Sequence, residues 1–256
     1  TTYQSKYMIN LLRSIRKTLL MEGKTSSYFK YAIGEIALVM IGILLALQVN
    51  NWNENRISFT KKEKLLNALK IEFKSNLTQL DKVLYFDKIV LEGTKRLMDI
   101  DLENSIEITS DSMPNWLQNT SFNWTFNPIN GALRSGISSG EIHLIKSDSL
   151  VNLLFGWQDF VADSRENEER CVAAVIAARP IIEKYIRNLD FRRTYIVELR
   201  KSKFPSDYQS LFKDPLFEDY LGERYLSMDD ALFELKQVKT QNNLILELIN
   251  LELNTD

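Results

Sequence analysis

The sequence has few of the residues that build metal centres, disulfides and tight turns. Cys171 is its only cysteine and His143 its only histidine in 256 residues. One thiol excludes an intrachain disulfide, and the two residues together exclude a zinc site made of several thiolates or imidazoles. Nine glycines and five prolines are few for this length, which favours a helical fold over a turn-rich β-sandwich or barrel. We therefore expect no metal and no cofactor.

Charge is unevenly distributed along the chain. Residues 1–30 contain six basic side chains and one acidic one, whereas residues 36–256 contain 26 basic and 32 acidic ones. The acidic remainder argues against a nucleic-acid partner. A basic segment next to an apolar run is typical of a chain that meets the cytoplasmic leaflet of a membrane.

The apolar run covers residues 31–49, with the sequence YAIGEIALVMIGILLALQV. As a helix it would be about 28 Å long, close to the roughly 30 Å of a bilayer's hydrocarbon core. Phe29 and Trp52 flank it, at the level where aromatic rings meet lipid headgroups. The alternatives are a buried helix of a soluble protein and a cleaved signal peptide; the length of the run and the lack of a small-x-small cleavage site disfavour the second. We predict a retained transmembrane helix with the lipid bilayer as partner.

Orientation is less clearly indicated, because similar numbers of basic residues flank the helix on both sides. Long domains are translocated with little regard to charge, and the acidic bulk of the chain follows the helix. The predicted organisation is a cytoplasmic basic amphipathic segment at 1–30, a transmembrane helix at 31–49 and an extracytoplasmic domain at 50–256. In the first segment, apolar residues at helical spacing alternate with Arg13, Arg16 and Lys17, which predicts a helix on the membrane surface. These three residues and Trp52 are the candidate membrane-surface residues.

Glu35 is an ionisable residue one turn inside the apolar run, and such residues are rare enough to be functional candidates. Helical spacing places it on one face with four others, of which Gly42 and Ala46 form a small-xxx-small pair that lets helices approach closely. This pattern predicts self-association through the transmembrane helix. Alternatively, Glu35 snorkels towards Lys30 or a headgroup, or has a proton or ion role. The candidate interface consists of Glu35, Leu38, Gly42, Ala46 and Val49.

The sequence after residue 50 has the periodicity of long helices. Asn76, Asp87 and Thr94 interrupt an a/d heptad pattern, which favours a bundle helix over a strict coiled coil. The apolar members of the pattern are Leu66, Leu69, Phe73, Leu80, Val83, Val90 and Leu97.

Further helix starts are predicted at Ser147, at Asp214-Pro215 and, from a capping-box pattern with Asp230, at Ser227. A short helix is expected near residues 130–135, with a hairpin-like turn before residue 142. The predicted fold class is all-α, with one transmembrane helix continuing into an extracytoplasmic helical bundle of the four-helix type.

No catalytic constellation is evident. Gly131 and Gly136 have the spacing of a phosphate loop, but Ile137 stands where that loop needs lysine. Glu168 belongs to a charge run typical of a solvated helix face. Three aromatic residues could line a ligand pocket, although core packing is the favoured interpretation. They are Trp116, Trp124 and Phe126.

The stretch GEIALVMIGILLALQVNNWNENR resembles the N-terminal signature of an uncharacterised family of single-pass membrane proteins common in Bacteroidota. The resemblance is most specific over residues 8–56. Residues 133–145, with Gly136 and Gly140, and the final residues 246–253 resemble the family more loosely. The resemblance implies a bacterial inner-membrane anchor and a periplasmic helical domain, and it brings no known activity.

The sequence therefore predicts a non-enzymatic, membrane-anchored interaction or assembly subunit that oligomerises through its transmembrane helix. Its expected partners are further copies of the chain or other membrane proteins. An extracytoplasmic sensor-like domain that binds a small ligand is one alternative, and a proton- or ion-coupled subunit that uses Glu35 is another.

Overall fold

The computed structural model describes Ser14, residues 25–101 and residues 112–254. Its first long helix, α1, comprises Thr25–Met98. The chain divides into two compact units, Thr1–Thr60 and Lys61–Asp256, and α1 contributes residues to both. The predicted surface helix, with Arg13, Arg16 and Lys17, lies outside the described residues.

In the first unit, α1 is apolar and uncovered. An 18-residue window of this helix has a mean hydropathy of 2.3, and none of it is buried by the rest of the described protein. Leu38 is 73% exposed. Within the described residues, α1 is the one helix long and apolar enough to cross a membrane.

The second unit is built from helices, and no residue described in it forms a strand. The all-α fold class is confirmed. Three helical segments are long: the later part of α1, α4 (Asp148–Tyr185) and α7 (Pro215–Asn254). After α1, the helices are α2 (Met113–Thr120), α3 (Gly131–Ser139), a 3-10 helix (Glu141–Leu144), α4 (Asp148–Tyr185), α5 (Asn188–Arg192), α6 (Tyr208–Phe212) and α7 (Pro215–Asn254).

The core follows the heptad pattern of α1. All seven apolar positions predicted from that pattern are at most 4% exposed. One core cluster joins Phe73 of α1 to Trp157 of α4 and Leu235 of α7, and the rings of Phe73 and Trp157 meet edge to face at 5.0 Å. A second cluster joins Leu97 to α2, α4 and α7. Burial of each such side chain contributes about 1.5–3 kcal/mol, so helix packing is the main source of stability.

Most predicted helix boundaries are confirmed. Ser147 caps α4, since its hydroxyl oxygen accepts a hydrogen bond from the Leu150 amide at 3.3 Å. Asp214 does the same for α7, with its Oδ1 3.1 Å from the Leu216 nitrogen, and Pro215 is the first helical residue. The start at Ser227 was wrong: this residue is buried in the middle of α7, and its hydroxyl donates to the Arg224 carbonyl at 3.2 Å.

The region around α3 depends on two glycines. The predicted short helix is present, but it is followed by a 3-10 helix rather than a hairpin-like turn. Gly140 ends α3 with a φ of +74°, a conformation that glycine adopts without steric cost. Gly136 lies against α1 so closely that an added Cβ would be 2.7 Å from Cδ1 of Leu65.

Candidate functional site

The predicted membrane interface lies on α1. Its five residues share one helical face, as their spacing requires. Leu38 and Val49 are 73% and 65% exposed, and an added Cβ at Gly42 would meet nothing within 4 Å. Among the residues that the structure describes, none fills the space beside Gly42, and association through the stripe remains a prediction. Trp52, at the end of the run, is exposed, and the Arg56 guanidinium lies 5.5 Å from its ring centroid.

The three aromatic residues of the predicted ligand pocket have different neighbours. Phe126 is a core residue whose ring centroid lies 6.5 Å from that of Trp157. Trp124 stacks on Phe86 at 4.3 Å. Trp116 packs beneath the guanidinium of Arg96, 3.8 Å from its ring centroid. The structure thus distributes the three rings over separate packing contacts.

Polar chemistry is instead concentrated along residues 121–130, which join α2 to α3 without regular structure and are called the crossing segment here. Near its end, Asn76 of α1 forms two hydrogen bonds with Ile129, accepting from its amide and donating to its carbonyl, both at 2.8 Å. The carboxylate of Glu72 then accepts from the amides of Ala132 (2.7 Å) and Leu133 (3.1 Å). Glu72 therefore caps α3 from another helix and balances its positive end.

The start of the crossing segment is held by Arg224 of α7, which is fully buried. Its guanidinium donates to the Thr120 carbonyl at 2.9 Å, to the Cys171 carbonyl at 3.1 Å and to the Phe122 carbonyl. It also donates to the side chain of Asn123 at 2.9 Å. Four oxygen acceptors thus replace water around a buried cation, which satisfies its donors and ties α2, α4 and α7 together.

Two buried carboxyl groups also hold the crossing segment. Asp87 of α1 is 2% exposed and accepts a hydrogen bond from the Trp124 backbone, while its Oδ1 has no hydrogen-bond partner. Glu168 of α4 is 5% exposed and accepts from the Phe126 amide at 2.9 Å. Both carboxyls therefore hold the crossing segment from opposite helices.

Burial and, to a smaller extent, the charge of Glu168 raise the pKa of Asp87 to about 7. The hydrogen bond from the Trp124 backbone and the charge of Arg224 oppose this rise. Burial also raises the pKa of Glu168 to about 7, and the hydrogen bond from the Phe126 amide and the charge of Arg165 oppose this rise. Both carboxyls therefore keep their protons to a higher pH than ordinary carboxyls do. The charges of Asp87, Glu168 and Arg224 all act on the Cys171 thiol, and these three residues are called the buried charge cluster.

The lone cysteine adjoins this cluster. Burial raises the pKa of Cys171, and a hydrogen bond with Ser227 and the charge of Arg224 oppose the rise. A protonated, buried thiol is a poor nucleophile. Among the described residues, no group of three or more histidine, cysteine, aspartate or glutamate side chains is placed to hold a metal ion. The side chains of the buried charge cluster form hydrogen bonds mainly with backbone groups of the surrounding segments.

Sequence reasoning missed most of these residues. Glu168 was expected on a solvated face, but that prediction was wrong: Glu166 and Glu169 are exposed while Glu168 is buried. Arg224 gave no signal, because a single arginine in an amphipathic helix resembles a surface residue. The sequence did mark two of these residues, because Asn76 and Asp87 interrupt the heptad pattern of α1. Both are buried and form hydrogen bonds with the crossing segment.

Comparisons with known proteins leave the activity open. No curated protein and no solved structure matches the chain. A family model, by contrast, matches part of the chain. The matched part runs from Glu35 in α1 through the crossing segment to the start of α4. It includes Glu72, Asn76 and Asp87 but neither Glu168 nor Arg224. Residues 35–155 match the sequence model of DUF6090, a family of unknown function, which confirms the resemblance to an uncharacterised family.

Proposed function

We propose that the chain is a non-enzymatic, membrane-anchored assembly protein that associates with further copies through the face of Glu35, Leu38, Gly42, Ala46 and Val49. One observation carries this proposal: an 18-residue window of α1 has a mean hydropathy of 2.3 and no buried share within the described protein. So much apolar surface has to be covered by lipid or by other helices.

Small residues on one stripe of that helix support association. Gly42 and Ala46 would let two backbones approach closely, and van der Waals packing is the main attraction between helices in lipid. Glu35 lies on the same stripe, where a partner helix could offer a hydrogen-bond donor to its carboxyl. In this proposal residues 50–256 lie in the periplasm, the N terminus is cytoplasmic, and the membrane is the bacterial inner membrane.

Anchoring is tested by expressing the full chain in bacteria and extracting the membranes with alkaline carbonate. An integral protein stays in the pellet, and release into the supernatant would end the proposal. Orientation is tested with a membrane-impermeant maleimide in whole cells, on Gln158→Cys in a Cys171→Ser background, since Gln158 is exposed. Labelling before lysis places the domain outside the cytoplasm, and labelling only after lysis reverses the orientation.

Association is tested by oxidative cross-linking in the same Cys171→Ser background. Ala46→Cys lies on the proposed stripe, and Leu44→Cys lies about 200° around the helix as a matched control. We expect disulfide-linked dimers from the first variant and few from the second. Equal cross-linking of both variants, or a monomer by native mass spectrometry after mild extraction, would contradict association through this face.

A further inference from the structure

A cavity of about 400 Å³ lies in the second unit between α2, α4 and the region of α5. Its volume is at the small end of the roughly 300–1,000 Å³ range of ligand pockets. Ile176 on its wall is 65% exposed, so apolar surface faces the opening without a protein partner to cover it. None of Trp116, Trp124 and Phe126 lines it. Its apolar walls come from Phe122, Val175, Ile176, Ile182, Ile186 and Phe191.

Arg192 gives this cavity an uncompensated positive charge. Its Nε donates to Oδ1 of Asn188 at 2.7 Å, and its Nη1 donates to the Tyr195 hydroxyl at 2.9 Å. Both partners are neutral and both line the cavity, and no carboxylate pairs with Arg192 in the part of the chain that the structure describes. The other arginine on the wall, Arg179, is already paired with Glu183 at 3.1 Å. The arrangement orients one guanidinium and leaves it free to meet an anion.

A buried amide adds a second recognition group. Gln118 lines the cavity and is only 7% exposed. Its Oε1 accepts a hydrogen bond from the Thr194 hydroxyl at 3.2 Å, whereas its Nε2 has no protein partner among the described residues. This nitrogen is therefore available to a ligand that accepts hydrogen bonds.

The wall that carries Arg192 is fixed by local contacts. Asp190 accepts hydrogen bonds from the Ser202 amide at 2.8 Å and from the Ser206 hydroxyl at 2.9 Å, which folds the chain after α5 back on itself. Across the cavity, the rings of Phe122 and Tyr195 meet edge to face with centroids 6.5 Å apart. A prebuilt pocket reduces the entropy lost when a ligand binds.

We propose that this cavity binds a small amphipathic carboxylic acid. The apolar body would lie against the isoleucine and phenylalanine walls, and the carboxylate would accept hydrogen bonds from Arg192 and Gln118. This site is separate from the proposed membrane association, and neither depends on the other.

The probes are 4-biphenylacetate and its uncharged analogue 2-(4-biphenyl)ethanol. Their binding to the full chain in lipid nanodiscs is measured by calorimetry, with the heat of empty nanodiscs subtracted. We expect the acid to bind with one site per chain and more tightly than the alcohol. Arg192→Met should weaken binding of the acid by about tenfold, as expected for loss of a charged hydrogen bond, and leave binding of the alcohol unchanged.

The neighbouring exposed Arg193 does not line the cavity, so Arg193→Met is the matched control and should bind both probes like the wild type. Ile176→Trp fills the opening from an exposed position and should abolish binding of both probes. Unchanged thermal melts would show that these variants fold. Equal affinity for acid and alcohol, no effect of Arg192→Met, or no binding by the wild type up to about 1 mM would each overturn the proposal.

Discussion

The apolar residues of α1 have different surroundings on the two sides of Thr60. Before it, leucines such as Leu38 and Leu44 are at least 60% exposed, and apolar side chains occupy every face of the helix over residues 36–47. After it, Leu66 and Leu80 are fully buried, and polar residues occupy the other faces. A helix that is apolar all round needs lipid or other helices around it, whereas an apolar stripe needs only one packed layer. One continuous helix therefore combines an uncovered apolar stretch with an amphipathic stretch that packs within the second unit.

The polar residues of α1 also differ between the two sides of Thr60. Glu35 is the ionisable residue of the apolar run, while the later part of α1 carries Glu72, Asn76 and Asp87, all of which hold other segments in place. In the second unit, buried polar groups specify where an irregular segment crosses the bundle. This comparison can be sharpened by substitutions, in descending order of expected effect.

The largest effect is expected from Arg224→Met. This change leaves the carbonyls of Phe122 and Cys171 without their guanidinium donor and removes the cation whose charge acts on Asp87. Removing one member of a buried charged group typically costs about 3–5 kcal/mol. Denaturant unfolding of the full chain in micelles, followed by tryptophan fluorescence, would measure it. Arg170→Met is the matched control on an exposed ion pair, and its midpoint should not move. A similarly small change for both would contradict the anchoring role.

The next effect tests the contrast within α1 directly. Leu80→Ala should lower the free energy of unfolding of the second unit by about 2–5 kcal/mol, because it opens a cavity in a core position. Leu44→Ala removes the same atoms from the uncovered stretch and should leave that unfolding transition where it is. If Leu44→Ala destabilised the second unit equally, residue 44 would have to be packed against protein.

A smaller and pH-dependent effect is expected at the buried charge cluster. The folded-state pKa values of Asp87 and Glu168, about 7, lie above the ordinary values of 3.8 and 4.5. The folded chain therefore binds more protons, and their stabilising contribution is full below pH about 4 and lost as the pH rises to about 7. Stability should fall over this range by up to about 1.4 kcal/mol per pH unit for each proton released.

Asp87→Asn keeps an acceptor for the Trp124 amide and removes one titrating group. Its unfolding free energy, measured between pH 5 and 8, should depend less on pH than that of the wild type. The exposed Asp159→Asn is the control and should reproduce the wild-type slope. An unchanged slope in Asp87→Asn would show that the pKa of Asp87 is not raised in the folded chain.

The smallest effect is expected from Glu72→Gln. The side chain keeps its length but loses the charge that caps α3, which should cost about 1 kcal/mol. Amide hydrogen exchange should become faster at Ala132 and Leu133, with little change in α7. Exchange that stays slow at both amides would mean that the cap is not needed.

Sequence could predict elements whose cause is local. The Ser147 cap, the Asp214-Pro215 start and the heptad positions of α1 depend on residues a few positions apart, so their patterns are visible in one chain. Ser227 has the same local pattern as a cap but lies within α7, because packing against the neighbouring helices keeps that helix continuous. Asp87, Glu168 and Arg224 lie on three different helices and come close to Cys171 only in three dimensions, so no local pattern could predict the buried charge cluster.

The close approach of Gly136 to Leu65 has a consequence for the evolution of the chain. An alanine at position 136 would put a methyl group 2.7 Å from the leucine side chain, so α3 or Leu65 would have to shift. Positions 65 and 136 should therefore covary among homologues, with a residue larger than glycine at 136 accompanied by a smaller one at 65. The contact between two helices would then be readable as a correlated pair of columns in an alignment.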